Sequence, residues 1–445
     1  MGFNALSNKY WRIAIYSLAL LFTNVLHAGW IPMVRFMRDS GKFAWLCPED
    51  SVPDPVSGML CEAQDQAFSM GLAIVSACDF STGVFAGTFF DILGPQWTGI
   101  VGQLMMWVCL PLIAFSNNSA GMFVGFAFMG LCAYFTGYPA LSIGADFQEN
   151  ENLAMTFVMA VQYATSLVYA VLYEIGKATG YNFTQVTVAY WIFIIPIGVL
   201  YCISLPSLTR AQIDAERFGN EYRKARIGDV CSPTTRKYLR TPEWIACMLW
   251  QCVTFFSHAT LVNTMLVWGG EGVANFYGFF YVASLLSTFF WGYVGRLTDI
   301  TIMLNVVSVG FLLSFLFSFG SEPYDYVAAS ANCLMGGYFF NAKSIWTNFI
   351  FPPEYLGRLT GLAATITGLF TLVATIPVTH YGMNAWFAAL VLAPVVGLPL
   401  FLTYRCTYLK ICYREDVTKP SNGSHQSCTS ESSNILAVES STMTV

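Results

Sequence analysis

Gly87-Thr88-Phe89-Phe90-Asp91-Ile92-Leu93-Gly94-Pro95 is a short turn, bearing glycine and one acid, between two long apolar runs at 68–90 and 98–116. Each run is close to the length that a helix needs to cross about 30 Å of hydrocarbon. The turn has a counterpart. Gly292-Tyr293-Val294-Gly295-Arg296 ends another apolar run 205 residues later (292 − 87). A second pair repeats at nearly the same interval. Phe147-Gln148-Glu149-Asn150-Glu151-Asn152-Leu153 opens one run, and Phe351-Pro352-Pro353-Glu354-Tyr355-Leu356 opens another 204 residues on (351 − 147). Two separate pairs with matching offsets point to a duplicated unit.

Working outward from the turn, twelve runs fit membrane-spanning helices: 11–37, 68–90, 98–116, 120–145, 153–176, 188–206, 243–267, 274–295, 301–319, 326–349, 357–379 and 385–408. Composition agrees. The 445 residues are 56% hydrophobic and 11% charged, too little charge to cover a soluble protein of this length. The first run, Trp11 to Met33, exceeds a signal-peptide core and no small-residue cleavage site follows it, so it is expected to stay as the first helix. Prolines interrupt several runs (Pro32, Pro111, Pro139, Pro196, Pro377, Pro394), which bundles tolerate because neighbouring helices satisfy the freed backbone groups.

Two polar segments divide the chain. The expected organisation is a first six-helix half at 1–206 with an outer loop at 38–67, a linker at 207–241, a second half at 242–412 and a disordered tail at 413–445. The linker carries Arg210, Arg217, Arg223, Lys224, Arg226, Arg236, Lys237 and Arg240. Positive charge favours the cytoplasmic side. An even number of spans puts that linker, Lys9 and Arg12 before the first span, and Arg405, Lys410 and Arg414 after the last on one face. Both termini are therefore expected in the cytoplasm.

The turn Gly87-x-x-x-Asp91-x-x-Gly94-Pro95 resembles the signature of the major facilitator superfamily. More narrowly, the chain resembles the solute carrier family 43 transporters of large neutral amino acids and nucleobases. Four stretches carry that likeness: Gly29-Trp30-Ile31-Pro32; the outer-loop segments Leu46-Cys47-Pro48-Glu49-Asp50 and Cys61-Glu62-Ala63-Gln64-Asp65-Gln66-Ala67-Phe68; Leu172-Tyr173-Glu174-Ile175-Gly176; and Phe351-Pro352 through Gly357-x-Leu359-Thr360-Gly361-Leu362. The resemblance implies an all-α membrane protein of the major facilitator fold, with twelve transmembrane helices in two pseudo-symmetric six-helix halves. It also implies that Gly87, Asp91, Gly94, Gly292, Arg296 and Gly357 form a latch between the halves. Ile92 and Gln96 stand where the family has basic residues, Arg296 where it has Asp, and Lys343 where it has a small or uncharged residue.

Ionisable groups inside a membrane are costly and mark candidate sites. Asp79 and Lys343 offer an anion for an ammonium and a donor for a carboxylate; they equally suit pairing with each other or with backbone between the halves. Trp30, Ser76, Tyr163, Asn263, Tyr338 and Asn341 could complete a cavity, or serve as helix-packing contacts. His27, His258 and Glu174 also lie within or near spans. Cys47 and Cys61 fall in the outer loop, where an oxidising environment favours a disulfide. Asn182 heads a glycosylation sequon in a short outer loop; the sequon at Asn117 lies close to the membrane, and that at Asn422 lies in the cytoplasmic tail.

No metal spacing, P-loop, GxSxG or HExxH motif occurs, so no cofactor, metal or catalytic cluster is expected. No Lys/Arg patch interleaved with aromatics suggests nucleic acid. The expected partners are a small-molecule substrate and the lipid bilayer, with the protein monomeric. The leading expectation is a secondary transporter of amino acids, large neutral ones by the family likeness, working by alternating access without sodium at the plasma membrane. A nucleobase carrier, a charged amino acid carrier and a non-transporting receptor are the alternatives.

Overall fold

The computed structural model describes residues 8–24, 26–53, 58–147, 150–209, 212–213, 233–267, 273, 276, 280, 283–297, 300–318, 322–352, 355–381 and 385–409. Every regular element among them is helical. In chain order these are α1 (Lys9–Thr23), α2 (Trp30–Asp39), α3 (Glu62–Leu93), α4 (Pro95–Phe115), α5 (Ser119–Ala140), α6 (Glu151–Val161), α7 (Ser166–Thr179), α8 (Phe183–Ser204), α9 (Pro233–Leu239), α10 (Pro242–Val267), α11 (Ala283–Leu297), α12 (Ile300–Phe317), α13 (Glu322–Ile350), α14 (Leu356–Tyr381) and α15 (Ala385–Thr403). Five helical stretches among the described residues are long and apolar enough to cross a membrane: Glu62–Leu93, Pro95–Phe115, Ser119–Asp146, Glu151–Thr179 and Phe183–Ser204. Their outward faces carry exposed Phe85, Trp97, Leu104, Val108, Ile192 and Phe193. Water would penalise such a surface, whereas lipid tails match it. The tail at 413–445 and most of the linker lie outside the described residues.

Local sequence sets the helix ends. Gly94 closes α3 with φ 86° and ψ 172°, a conformation open almost only to glycine, and Pro95 begins α4 where its missing N–H costs nothing. Asn118 caps α5 by accepting from Gly121 N at 2.8 Å. Asn182 and Gln185 form a reciprocal capping box at the start of α8. Thr241 accepts from Trp244 N at 3.4 Å and Pro242 follows it, which opens α10.

Each half has its own core. In the first, Met33, Phe36, Phe126, Met129, Tyr169 and Ile194 are buried together. In the second, Trp250, Phe311, Phe339, Trp346 and Phe351 are. At the end of the first half where α1 begins, Arg12 pairs with Asp146 at 2.6 Å and donates to the Tyr16 hydroxyl at 2.9 Å. Tyr16 in turn donates to the Ser204 carbonyl at 3.1 Å. In the second half, Arg405 pairs with the fully buried Glu243. Both arrangements tie the half's first span to its last.

The segment between α2 and α3 is a built cap. Cys47 and Cys61 are joined by a disulfide, their Cα atoms 5.7 Å apart. Lys42, 5% exposed, donates to the Ala114 and Ser116 carbonyls at 2.8 and 2.9 Å, where α4 ends. A cation there meets the negative end of the helix dipole. Gln64 ties the loop to α3, donating to the Lys42 carbonyl at 2.9 Å.

Two spans differ from the expectation of continuous helices. The first breaks between α1 and α2, with a tight turn at Leu26–Gly29. The fifth runs on from α6 to α7 through one tightened helical turn at Gln162–Thr165, where the regular α-helical ladder is interrupted. Polar side chains sit at both places, Asn24 in the first run and Gln162 in the fifth.

Candidate functional site

The two interruptions meet. Gly29 lies against the Ser166 carbonyl, so close that a Cβ there would stand 2.9 Å from the oxygen. Buried Asn24 sits at the centre. Its Oδ1 accepts from Thr136 Oγ1 of α5 at 2.9 Å, and its Nδ2 donates to Gln162 Oε1 at 3.2 Å. One residue earlier, Thr23 Oγ1 accepts from Gln103 Nε2 of α4 at 2.7 Å. Thr165 Oγ1 donates to the Leu20 carbonyl at 3.3 Å. Spans one, three, four and five are thus joined by a buried polar network, whose groups would each cost more left unsatisfied than a single bond contributes. Interrupted spans facing each other across a membrane bundle are the usual setting of a substrate site.

Trp30, at the head of α2, packs its ring edge-on against Phe126 at 5.2 Å. Ser76 and Asp79 lie one turn apart on α3, both half-buried. The α3 backbone at Asp79 approaches α5 at Gly130, where a Cβ would stand 2.8 Å from the Asp79 amide nitrogen. Tyr338 is elsewhere: it is 2% exposed in the core of the second half, its hydroxyl toward Gly295. The side chains of Tyr163, Asn263, Arg296, Asn341, Lys343 and His27 lie outside the described residues. So does any Asp79–Lys343 pairing. Backbone places Asn263 on α10, Arg296 on α11, and Asn341 and Lys343 on α13. His258, buried on α10, lies beside Asn332 of α13 and edge-on to Phe311 at 6.0 Å.

Below this level the halves close on each other. Gly83-x-x-x-Gly87 on α3 faces Gly357-x-x-x-Gly361 on α14. A Cβ on Gly83 would lie 2.8 Å from the Gly361 carbonyl oxygen, and one on Gly87 would overlap the Gly357 carbonyl outright. Small residues at four-residue spacing let the two backbones touch. At the foot of that seam, Asp91 accepts from the Gly357 amide at 3.0 Å, the Arg358 amide at 2.9 Å and Arg358 Nε at 3.1 Å. The carboxylate thus satisfies free N–H groups at the start of α14 while pairing with a guanidinium. Of the residues expected in the latch, Asp91, Gly87 and Gly357 meet here. Gly94 forms the turn just beyond.

The opposite seam joins α6 to α11. Gly292 packs on Thr156, Phe157 lies 4.7 Å from Phe289 ring to ring, and Asn348 of α13 donates to Glu151 at 2.7 Å. Arg358, Asn24, Gln162, Thr136 and Asn348 escape a reading that ranks ionisable groups in mid-span first. The signal was present for two of them: Asn24 and Gln162 are amides in otherwise apolar runs. Arg358 occupies the unassigned position after Gly357 in the Phe351–Leu362 stretch.

No protein-family model matches the chain. Among curated proteins it is similar to Amino acid transporter 6-1 of Toxoplasma gondii, 25% identical over 417 residues, covering 82% of this chain and 72% of that protein. It is similar over a shorter stretch to Arginine transporter 1 of the same organism, 31% identical over 188 residues, 41% of this chain and 35% of that protein. Among solved structures it resembles the proton:xylose symporter XylE (TM-score 0.62, 11% identity, 90% of this chain and 96% of that one). It also resembles the human organic anion transporter MFSD10 (TM-score 0.60, 14% identity, 88% and 99%). The likeness establishes the fold: this is a multi-pass membrane protein of the major facilitator fold, twelve helices in two pseudo-symmetric halves.

Proposed function

We propose that the chain is a secondary transporter that moves amino acids across a membrane by alternating access. The observation that carries this reading is the pair of inner seams, α3–α14 and α6–α11, closed beneath the interrupted first and fifth spans. Halves closed along these seams are one leg of alternating access; parting the seams gives the other. Trp30, Ser76 and Asp79, with Asn24, Thr136 and Gln162 behind them, form the first half's share of the substrate site. Lys343, Tyr163, Asn263, Tyr338 and Asn341 are proposed for the rest. Arg358 joins Asp91 in the latch, with Gly94, Gly292 and Arg296 supporting it.

The likeness to solute carrier family 43 supports facilitative, sodium-independent flux of large neutral amino acids, by a monomer at the plasma membrane with both termini cytoplasmic. A cationic substrate is the second reading. The half-buried Asp79 carboxylate favours it, and so does the similarity to a protein named as an arginine transporter. The test is uptake of labelled leucine, phenylalanine, arginine and adenine into proteoliposomes, with and without sodium and proton gradients, by wild type and Asp79→Asn. Saturable leucine or phenylalanine flux without a gradient supports the first reading. Arginine flux that Asp79→Asn removes supports the second. Adenine flux alone, or no flux from folded protein, overturns both.

A further inference from the structure

Helix α9 runs directly into Thr241 and Pro242, where α10 starts. Its exposed face carries Arg236 and Lys237, with Arg240 one turn on, and these three line a shallow cleft with Pro233. No described residue forms an ion pair with any of the three, and the nearest acid in sequence, Glu243, is taken by Arg405. The other face is packed. Thr235 is buried, and the Tyr238 ring stands edge-on to Phe351 at 5.7 Å and to Tyr355 at 5.1 Å. The Tyr355 ring in turn carries the Arg358 guanidinium 5.1 Å from its centre. Arg358 is the partner of Asp91. A continuous line of contacts therefore runs from three exposed cations to the latch between the halves.

We propose that α9 is a docking surface for the headgroups of anionic lipids in the adjoining leaflet, and that its occupancy steadies the Asp91–Arg358 latch through Tyr238 and Tyr355. The charge supports a lipid: three cations on one face, beside the start of a spanning helix, meet a leaflet whose surface potential is negative. Each such charge strengthens association about fivefold. The packed face supplies the coupling, because a headgroup that draws the helix onto the membrane also fixes the ring that Tyr355 leans on. The lipid surface does not depend on the transporter reading; only the meaning of the coupled latch rests on it.

The test uses the purified full chain in nanodiscs of phosphatidylcholine alone or with phosphatidylserine. Association of spin-labelled phosphatidylserine and phosphatidylcholine is compared, and hydrogen exchange is followed at the Gly357 and Arg358 amides, which Asp91 accepts from. Wild type should prefer phosphatidylserine and show slower exchange at both amides in its presence. Arg236→Gln/Lys237→Gln/Arg240→Gln should lose the preference, and Arg236→Lys/Arg240→Lys should keep it. Tyr238→Ala should keep the preference and lose the change in exchange. Equal association of both lipids with wild type, or an unchanged preference in the triple variant, overturns the lipid surface. The same protection produced by inorganic phosphate in phosphatidylcholine discs overturns it too. Protection that survives Tyr238→Ala overturns the route to the latch. Flux is not measured, so a failed substrate assignment leaves this result readable.

Discussion

Asp91 at the end of α3 reaches Arg358 at the start of α14, 267 residues away, and binds its side chain and its backbone at once. Both side chains are buried, Arg358 4% exposed and Asp91 2%. Removing one partner of such a buried pair costs about 3–5 kcal/mol. Here the loss falls on the closed arrangement of the two halves. Asp91→Ala is therefore expected to shift the inner seam toward open by about a hundredfold or more, with Asp91→Asn milder because its amide oxygen still accepts from an N–H. Double electron–electron resonance between labels on the inner ends of α3 and α14 reads the shift. The charge swap Asp91→Arg/Arg358→Asp should not restore closure, since an arginine cannot accept from the Gly357 and Arg358 amides. Rescue by the swap would reduce the latch to a simple ion pair.

Gly87→Ala adds one methyl where the Gly357 carbonyl already sits. It should widen the inner seam without harming either half's core. Gly397→Ala is the control, because a Cβ there meets nothing within 4 Å. Proteoliposome flux and the same label distances should change for the first variant and hold for the second. A normal seam in Gly87→Ala would show that the halves do not close on backbone contact.

The larger architecture was legible because it rests on repetition. The run lengths and the 205-residue interval between Gly87 and Gly292 are properties of the chain itself, and they gave two halves. The turn at Asp91 was legible as a latch; its partner was not. Arg358 lies 267 residues away, at a position that neither the internal repeat nor the family likeness singled out. The interruptions in spans one and five were hidden for a different reason. Hydropathy sees an apolar run through Asn24 and Gln162, because one amide barely lowers a twenty-residue mean. Only the geometry shows that the two amides bond each other, and that both helices yield their regular ladder where they do. Tyr338 is a case that hydropathy does not place: it is 2% exposed and packs within its own half's core.

The Asn24 network yields its own prediction. Asn24→Leu removes the bonds to Thr136 and Gln162, at about 1 kcal/mol for each hydrogen bond lost, since the Thr136 hydroxyl keeps the Cys132 and Ala133 carbonyls as acceptors. Thermal unfolding in detergent should move down for Asn24→Ala and Thr136→Ala singly, and by less than the sum for both together. Additive losses would mean that the two side chains do not act as one unit.

The outer disulfide closes a short loop, its cysteines 14 residues apart. The chain-entropy account gives about 3 kcal/mol for a loop of this size. Cys47→Ser, or a reducing agent acting on wild type, should lower the unfolding temperature, while the reducing agent should leave the Cys47→Ser/Cys61→Ser variant unmoved. A drop of equal size in that double variant would place the effect at another cysteine.

Lys42 gives the chain a pH dependence with a definite sign. Burial pushes its ammonium below the ordinary lysine value of 10.5, even though it caps two carbonyls at the end of α4. The unfolded chain then binds the proton more tightly than the folded one. Below the lowered folded value both states are protonated and the penalty is present in full. As pH rises through that value toward 10.5, the folded state releases its proton first and the penalty fades. Stability of wild type relative to Lys42→Met should therefore climb across that alkaline window and be flat at neutral pH. Unfolding scans of the two proteins across the window test this directly. A difference that falls with rising pH would mean that the two carbonyls hold the ammonium more strongly than burial disfavours it.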